Sequence, residues 1–116
     1  MSAPLQATFS ALADPARLAV IGLLRREPLR SSEIARRLSL NRPLVSKHLQ
    51  VLRKAGLIEE RADDEDARAR VYQLRAARFT EMRSWLDDVE TFWTGQLDAF
   101  KRHAEQKVRG GPGRRR

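Results

Sequence analysis

The sequence predicts a mainly α chain with one β-hairpin, built around a helix-turn-helix and assembled as a dimer. Three observations carry that expectation. Residues 41–55, closed by Gly56, read as an amphipathic helix that contains no carboxylate. Only Ser39-Leu40 separates its cap from the helix before it, and two helices joined by so short a turn form a helix-turn-helix. Two short β-prone runs follow, and after them a long segment whose large apolar residues recur at heptad-like spacing.

Taken in order, Leu5, Phe9 and Leu12 step by four and three, which predicts a short first helix. Asp14-Pro15 marks a fresh start, with Asp as N-cap and Pro in the first helical slot. The second helix carries Leu18, Ile21 and Leu24 on one stripe with Val20 and Leu23 beside it, and stops before Pro28, which cannot extend it. Ser31 offers an N-cap for a third helix that holds Glu33 in its first turn and buries Ile34, Ala35 and Leu38. Asn41 caps the fourth helix, Pro43 sits in its first turn where a missing N–H is harmless, and Gly56 supplies a left-handed residue past its end. Residues 57–61 and 68–74 are expected strands, the second enriched in β-branched and aromatic residues, with 62–67 as the hairpin tip. The last helix runs from about Ala76 to about Val108, its stripe made by Phe79, Met82, Leu86, Val89, Trp93 and Phe100 and widened by Trp85, Phe92 and Leu97. Residues 1–108 are therefore one domain, and 109–116, with three glycines, a proline and three closing arginines beyond Arg109, a disordered basic tail.

A single domain of 116 residues buries roughly 65% of its unfolded surface, so a modest core gains from a subunit interface. The interface expected is a homodimer joining the first helix, through Leu5 and Phe9, to the last, through Leu86, Val89, Trp93 and Phe100. Lys and Arg number 23 against 15 Asp and Glu, for a net charge of +8, and the chain stays basic without its closing arginines. That balance favours a polyanionic partner. The absence of cysteine excludes disulfides and thiolate metal sites and fits a reducing cytoplasm. No secretory signal or bilayer-spanning stretch is visible, so a cytoplasmic protein without a membrane partner is expected.

The fourth helix carries most of the functional argument. Val45, Leu49 and Leu52 make one apolar stripe, while Arg42, Ser46, Gln50 and Arg53 recur on another side. A merely solvated helix usually mixes in carboxylates for pairing four residues apart, and none occurs here. The face suits double-stranded DNA: Arg42, Ser46 and Gln50 can reach base edges, and Lys47, Arg53 and Lys54 can neutralise phosphates. His48 lies between the two faces, so a buried, turn-bridging role competes with a DNA contact. With two separated histidines and no glycine-rich phosphate loop, no catalytic constellation is visible, and neither an enzyme nor a cofactor is expected.

Residues 11–18, Ala-Leu-Ala-Asp-Pro-Ala-Arg-Leu, and 45–58, Val-Ser-Lys-His-Leu-Gln-Val-Leu-Arg-Lys-Ala-Gly-Leu-Ile, resemble the arsenical-resistance repressor (ArsR) family of bacterial regulators. Tyr72-Gln73-Leu74 fits as well, and the likeness spans about residues 5–105. The resemblance implies a winged helix-turn-helix, with the hairpin as wing, and a homodimeric repressor that binds operator DNA. It places the recognition helix over residues 41–54, so Asn41, Arg42, Ser46, Lys47 and His48 are carried over as DNA contacts. Where members of the family that bind metal through thiolates carry cysteines, this chain reads Ser31-Ser32-Glu33, and on the last helix only His103 stands near Asp98 and Glu105. A metal sensor is therefore not expected.

The hairpin tip, Asp63-Asp64-Glu65-Asp66, is flanked by Arg61, Arg68 and Arg70. Either the acids orient the arginines toward the minor groove, or they form a solvated turn; Arg68 and Arg70 are expected DNA contacts in both cases. Two other readings compete. The stretch 66–70 looks like the wing of a multiple-antibiotic-resistance-type (MarR) regulator, and the long aromatic helix would also suit a protein-interaction module. An unidentified small-molecule inducer, lodged between long helices near Trp85 and Trp93, would replace a metal as signal.

Overall fold

The computed structural model describes residues 1–110, with the side chains of Arg109 and Gly110 left aside. Among the described residues the order is α1 (Ala3–Leu12), α2 (Pro15–Leu24), α3 (Ser31–Leu38), α4 (Arg42–Lys54), β1 (Ile58–Ala62), β2 (Arg70–Leu74) and α5 (Ala76–Gly110). The chain divides into two compact units, Met1–Met82 and a second beginning at Arg83. The expected tail falls mostly outside the described residues, although α5 itself continues through Gly110, two residues past the expected end.

Local chemistry sets most boundaries of the first unit. The Asp14 carboxylate accepts from the Arg17 N–H at 3.0 Å and opens α2, and the Asn41 side-chain oxygen accepts from the Leu44 N–H at 2.8 Å and opens α4. Both helices of the helix-turn-helix close alike: Leu40 N–H returns to Ala35 C=O, and Leu57 N–H to Leu52 C=O, each at 3.0 Å. The residue that must turn left-handed is Gly56 in one case, at φ +79°, and Ser39 in the other, at φ 54°. Ser31 is not the cap of α3. Arg30 takes that position in extended backbone: its carbonyl accepts from Glu33 and Ile34, and its side chain makes no bond to the helix because a guanidinium can only donate.

The core gathers Val20 and Leu24 of α2, Ile34 and Ala35 of α3, Val45, Leu49 and Leu52 of α4, and Leu57, Ile58 and Val71 of the hairpin. Leu38 is only half-buried, and Leu18 is exposed, because α2 turns its Val20–Leu24 edge inward rather than the stripe that begins at Leu18. Thr8 is fully buried, and its hydroxyl donates to Pro4 C=O at 2.9 Å, as a buried polar group requires.

The hairpin is antiparallel, with Ile58 opposite Leu74 and Ala62 opposite Arg70. β1 runs one residue later than expected, and β2 starts two residues late while ending at Leu74 as expected, because Asp66 accepts from the Arg68 N–H at 3.1 Å and holds Arg68 in the turn. Leu29 adds a short rung: its N–H and C=O pair with Tyr72, so β2 has backbone partners on both sides.

Candidate nucleic-acid interface

One row of α4 is buried and the opposite row is open. Val45, Leu49 and Leu52 lie in the core, whereas Arg42, Ser46, Lys47, Gln50 and Arg53 are exposed. Arg42, Ser46, Lys47, Gln50 and Lys54 have no side-chain hydrogen bond or ion pair among the described residues. The arginines of α3 are committed by contrast: Arg36 and Arg37 both bind Glu33, and Arg37 also faces Glu27 at 3.8 Å. Those two bonds hold the Glu33 carboxyl below its ordinary range, the Arg36 contact foremost. Within the helix-turn-helix the unpartnered long side chains therefore lie on α4 rather than α3, where they remain free to reach an external acceptor.

The remaining expected contacts are in three different conditions. Asn41 spends its carbonyl oxygen on the helix cap and keeps only its amide N–H₂ for a ligand. Arg53 faces Glu60 of β1 at 3.7 Å, a loose, half-exposed pair that a phosphate can outcompete. His48 is partly covered, with Nδ1 3.5 Å from Nη1 of Arg17 on α2. Arginine can only donate, so the approach is a hydrogen bond in the tautomer that keeps its lone pair on Nδ1, and in that tautomer Nε2–H is the free donor.

On the hairpin, Arg68 reaches solvent with 95% of its side chain exposed and a long 3.6 Å approach to Asp66, and Arg70 is exposed at the start of β2. Arg61 is not available in the same way. Its Nε donates to Gln73 at 2.8 Å and its Nη1 to Ala62 C=O at 2.9 Å, with Asp64 at 3.2 Å. The acids of the tip are turn builders: Asp63 accepts from the Glu65 N–H, as Asp66 does from that of Arg68. Asp63 does orient an arginine, but it is Arg30 at the start of α3, not one of the wing arginines.

The apolar row of α5 beyond Met82 stays uncovered. Leu86, Val89, Phe92, Trp93, Leu97 and Phe100 are exposed, Trp93 at 59% and Phe100 at 71%. Of the expected α1 contacts, Phe9 is partly exposed, while Leu5 is already buried in the single chain. Among the described residues no three His, Asp or Glu side chains converge as metal ligands would.

No local pattern marks two participants, Arg17 and Arg30, because each acts on a residue more than thirty positions away. Asp14 and Asn41 were legible because a cap acts three residues along.

Residues 14–60 match the family model described as bacterial regulatory protein, arsR family. The HTH-type transcriptional regulator Rv2034 of Mycobacterium tuberculosis is 38% identical over 92 residues, covering 79% of this chain and 80% of that one. Among solved structures, an ArsR-like transcriptional regulator from Rhodococcus sp. RHA1 superposes with a TM-score of 0.76 at 29% identity, covering 88% of this chain and 93% of its own. A second solved ArsR family transcriptional regulator has a TM-score of 0.69 at 33% identity, over 78% of this chain and 97% of its own.

Proposed function

The chain belongs to the arsR family of bacterial regulatory proteins and is a DNA-binding transcriptional regulator rather than an enzyme, and from that premise we propose that it is a homodimeric repressor reading a pseudo-palindromic operator through α4. The observation that carries the reading is the exposed row Arg42, Ser46, Lys47 and Gln50, free of carboxylates and without side-chain partners among the described residues. Arg42, Ser46 and Gln50 meet base edges in the major groove. Lys47, Arg53 and Lys54, with Arg68 and Arg70 of the wing, meet phosphates or the minor-groove edge, Asn41 offers its amide at the entry to α4, and His48 donates from Nε2.

Dimerisation rests on the exposed row of Leu86, Val89, Trp93 and Phe100, with the partly exposed Phe9 contributed by α1 and Leu5 serving the core beneath it. A row of large apolar side chains left in water forgoes roughly 1.5–3 kcal/mol each, and a second copy of the chain supplies a matching row by symmetry. Two-fold symmetry then requires two half-sites. Release does not depend on a metal: the chain holds no thiolate, and its two imidazoles, His48 and His103, lie on different helices.

Selection of bound duplexes from a random pool tests the proposal. An inverted repeat with half-site centres about 10–10.5 base pairs apart, or a multiple of that, is the expected outcome. A selected motif without dyad symmetry contradicts it.

A further inference from the structure

A cavity of about 290 Å³ lies within the first unit, between α1, α2 and the last turns of α4. Its apolar lining is Ala7, Ala11, Val51 and Ala55, and its charged groups are two cations, Arg17 and Lys54, with no carboxylate among the lining residues. Val51 is 39% exposed, in a helix whose other valine is buried. Arg17 is held in place rather than loose. Its Nε donates to Ala11 C=O at 2.6 Å, and Nη1 stands 3.5 Å from His48 Nδ1 and 3.9 Å from the Asp14 carboxylate. Asp14 gives its shorter bond to the Arg17 backbone N–H, so the outer nitrogens of the guanidinium keep donor capacity. Lys54 has no partner among the described residues.

We propose that this cavity binds a small organic carboxylate with an apolar body, its carboxylate between Arg17 and Lys54 and its body on Ala7, Ala11 and Val51. Charge complementarity selects the anion, and the alanine and valine surface selects the rest of the molecule. Ser10 adds one hydroxyl to the lining, and a bare phosphate would use that and the two cations but leave the alanine and valine surface in water, which an apolar body covers. The volume is at the lower end of the roughly 300–1,000 Å³ of ligand sites, so one or two rings fill it. Arg17 also meets His48 of α4. A bound carboxylate that draws Nη1 away from His48 loosens the recognition helix, a consequence that rests on the DNA-reading role of α4.

The test uses the full chain and 2-naphthoate as probe, with 2-naphthamide as its neutral isostere, followed by methyl NMR. Saturable shifts confined to Ala7, Ala11, Val51 and Ala55 are expected, with the amide binding roughly tenfold or more weakly. Lys54→Gln should weaken the probe several-fold, and Val51→Asp, at an exposed position, should abolish it while the remaining methyl spectrum stays folded. No saturable shift at millimolar probe, equal binding of the amide, survival in Val51→Asp, or equal displacement by inorganic phosphate would each overturn the site. In a second arm the probe is added to a complex with a selected duplex. Weakened DNA binding supports the coupling; unchanged DNA binding with the cavity filled overturns it and leaves the site standing. Failure to bind any duplex would fall on the DNA-reading role instead, since the first arm contains no DNA.

Discussion

Arg30, the cap residue of α3, grips Asp63 at the hairpin tip through Nε at 2.9 Å and Nη2 at 2.6 Å, both on one carboxylate oxygen. The bond joins the first helix of the helix-turn-helix to the wing, next to the rung where Leu29 pairs with Tyr72. Wing position is thus set from α3 as well as by the strands. Asp63→Asn should raise amide exchange at the tip, and, if the wing cations meet phosphates as proposed, lower affinity for all duplexes alike. Unchanged exchange at the tip would show that the hairpin ladder alone fixes the wing.

Acid should act on the same bond. The Arg30 guanidinium holds the Asp63 carboxyl below its ordinary value of 3.8, the Arg17 N–H holds Asp14 below the same value, and the Arg36 and Arg37 bonds hold Glu33 below 4.5. A carboxylate whose folded pKa is depressed contributes stability above its unfolded pKa and loses it as pH falls through the folded one. Stability should therefore be flat above about pH 5 and fall below about pH 4. Asp63→Asn should flatten that fall in urea titrations; an unaltered acid limb would remove Asp63 from the account.

The two left-handed residues make opposite predictions. Ser39 adopts φ 54° with a side chain, so Ser39→Gly should stabilise the chain by about 0.5–1 kcal/mol. At Gly56 a Cβ would stand 3.1 Å from Arg78 Cγ as well as adopting φ +79°, so Gly56→Ala should destabilise by about 1–2 kcal/mol. Chemical denaturation reads both, and the same sign for the two would contradict the backbone argument.

What the sequence made legible divides along separation in the chain. The caps Asp14 and Asn41, the glycine closure of α4 and its buried row of Val45, Leu49 and Leu52 follow from spacings of three and four residues. Residue preference points to Ser31 as the cap of α3 because serine is the commoner choice, whereas Arg30 takes the position with its side chain drawn to the hairpin. The Leu29–Tyr72 rung and the Arg17–His48 approach were not readable, since no local pattern marks partners 31 to 43 residues apart. For the acid run at the tip the sequence leaves two readings open, acids that orient the arginines or a solvated turn; the chain uses Asp63 and Asp66 to shape the turn and leaves Asp64 and Glu65 exposed.

Dimerisation has a direct probe in Trp93, 59% exposed on the apolar row of α5. Trp93→Glu places a charge where a second copy would pack, and sedimentation equilibrium should then give the 13.3 kDa monomer, where the unaltered chain gives twice that mass. A monomer for the unaltered chain at micromolar concentration would dismiss the interface.

If the open face of α4 divides base reading from phosphate contact, single variants will separate the two roles in their affinities for a selected operator and a scrambled duplex at one salt concentration. Arg42→Ala and Ser46→Ala should each lose about 1–3 kcal/mol on the operator and little on the scrambled duplex, while Lys47→Ala weakens both and lowers the salt slope by about one. Equal losses on the two duplexes for all three variants would contradict it.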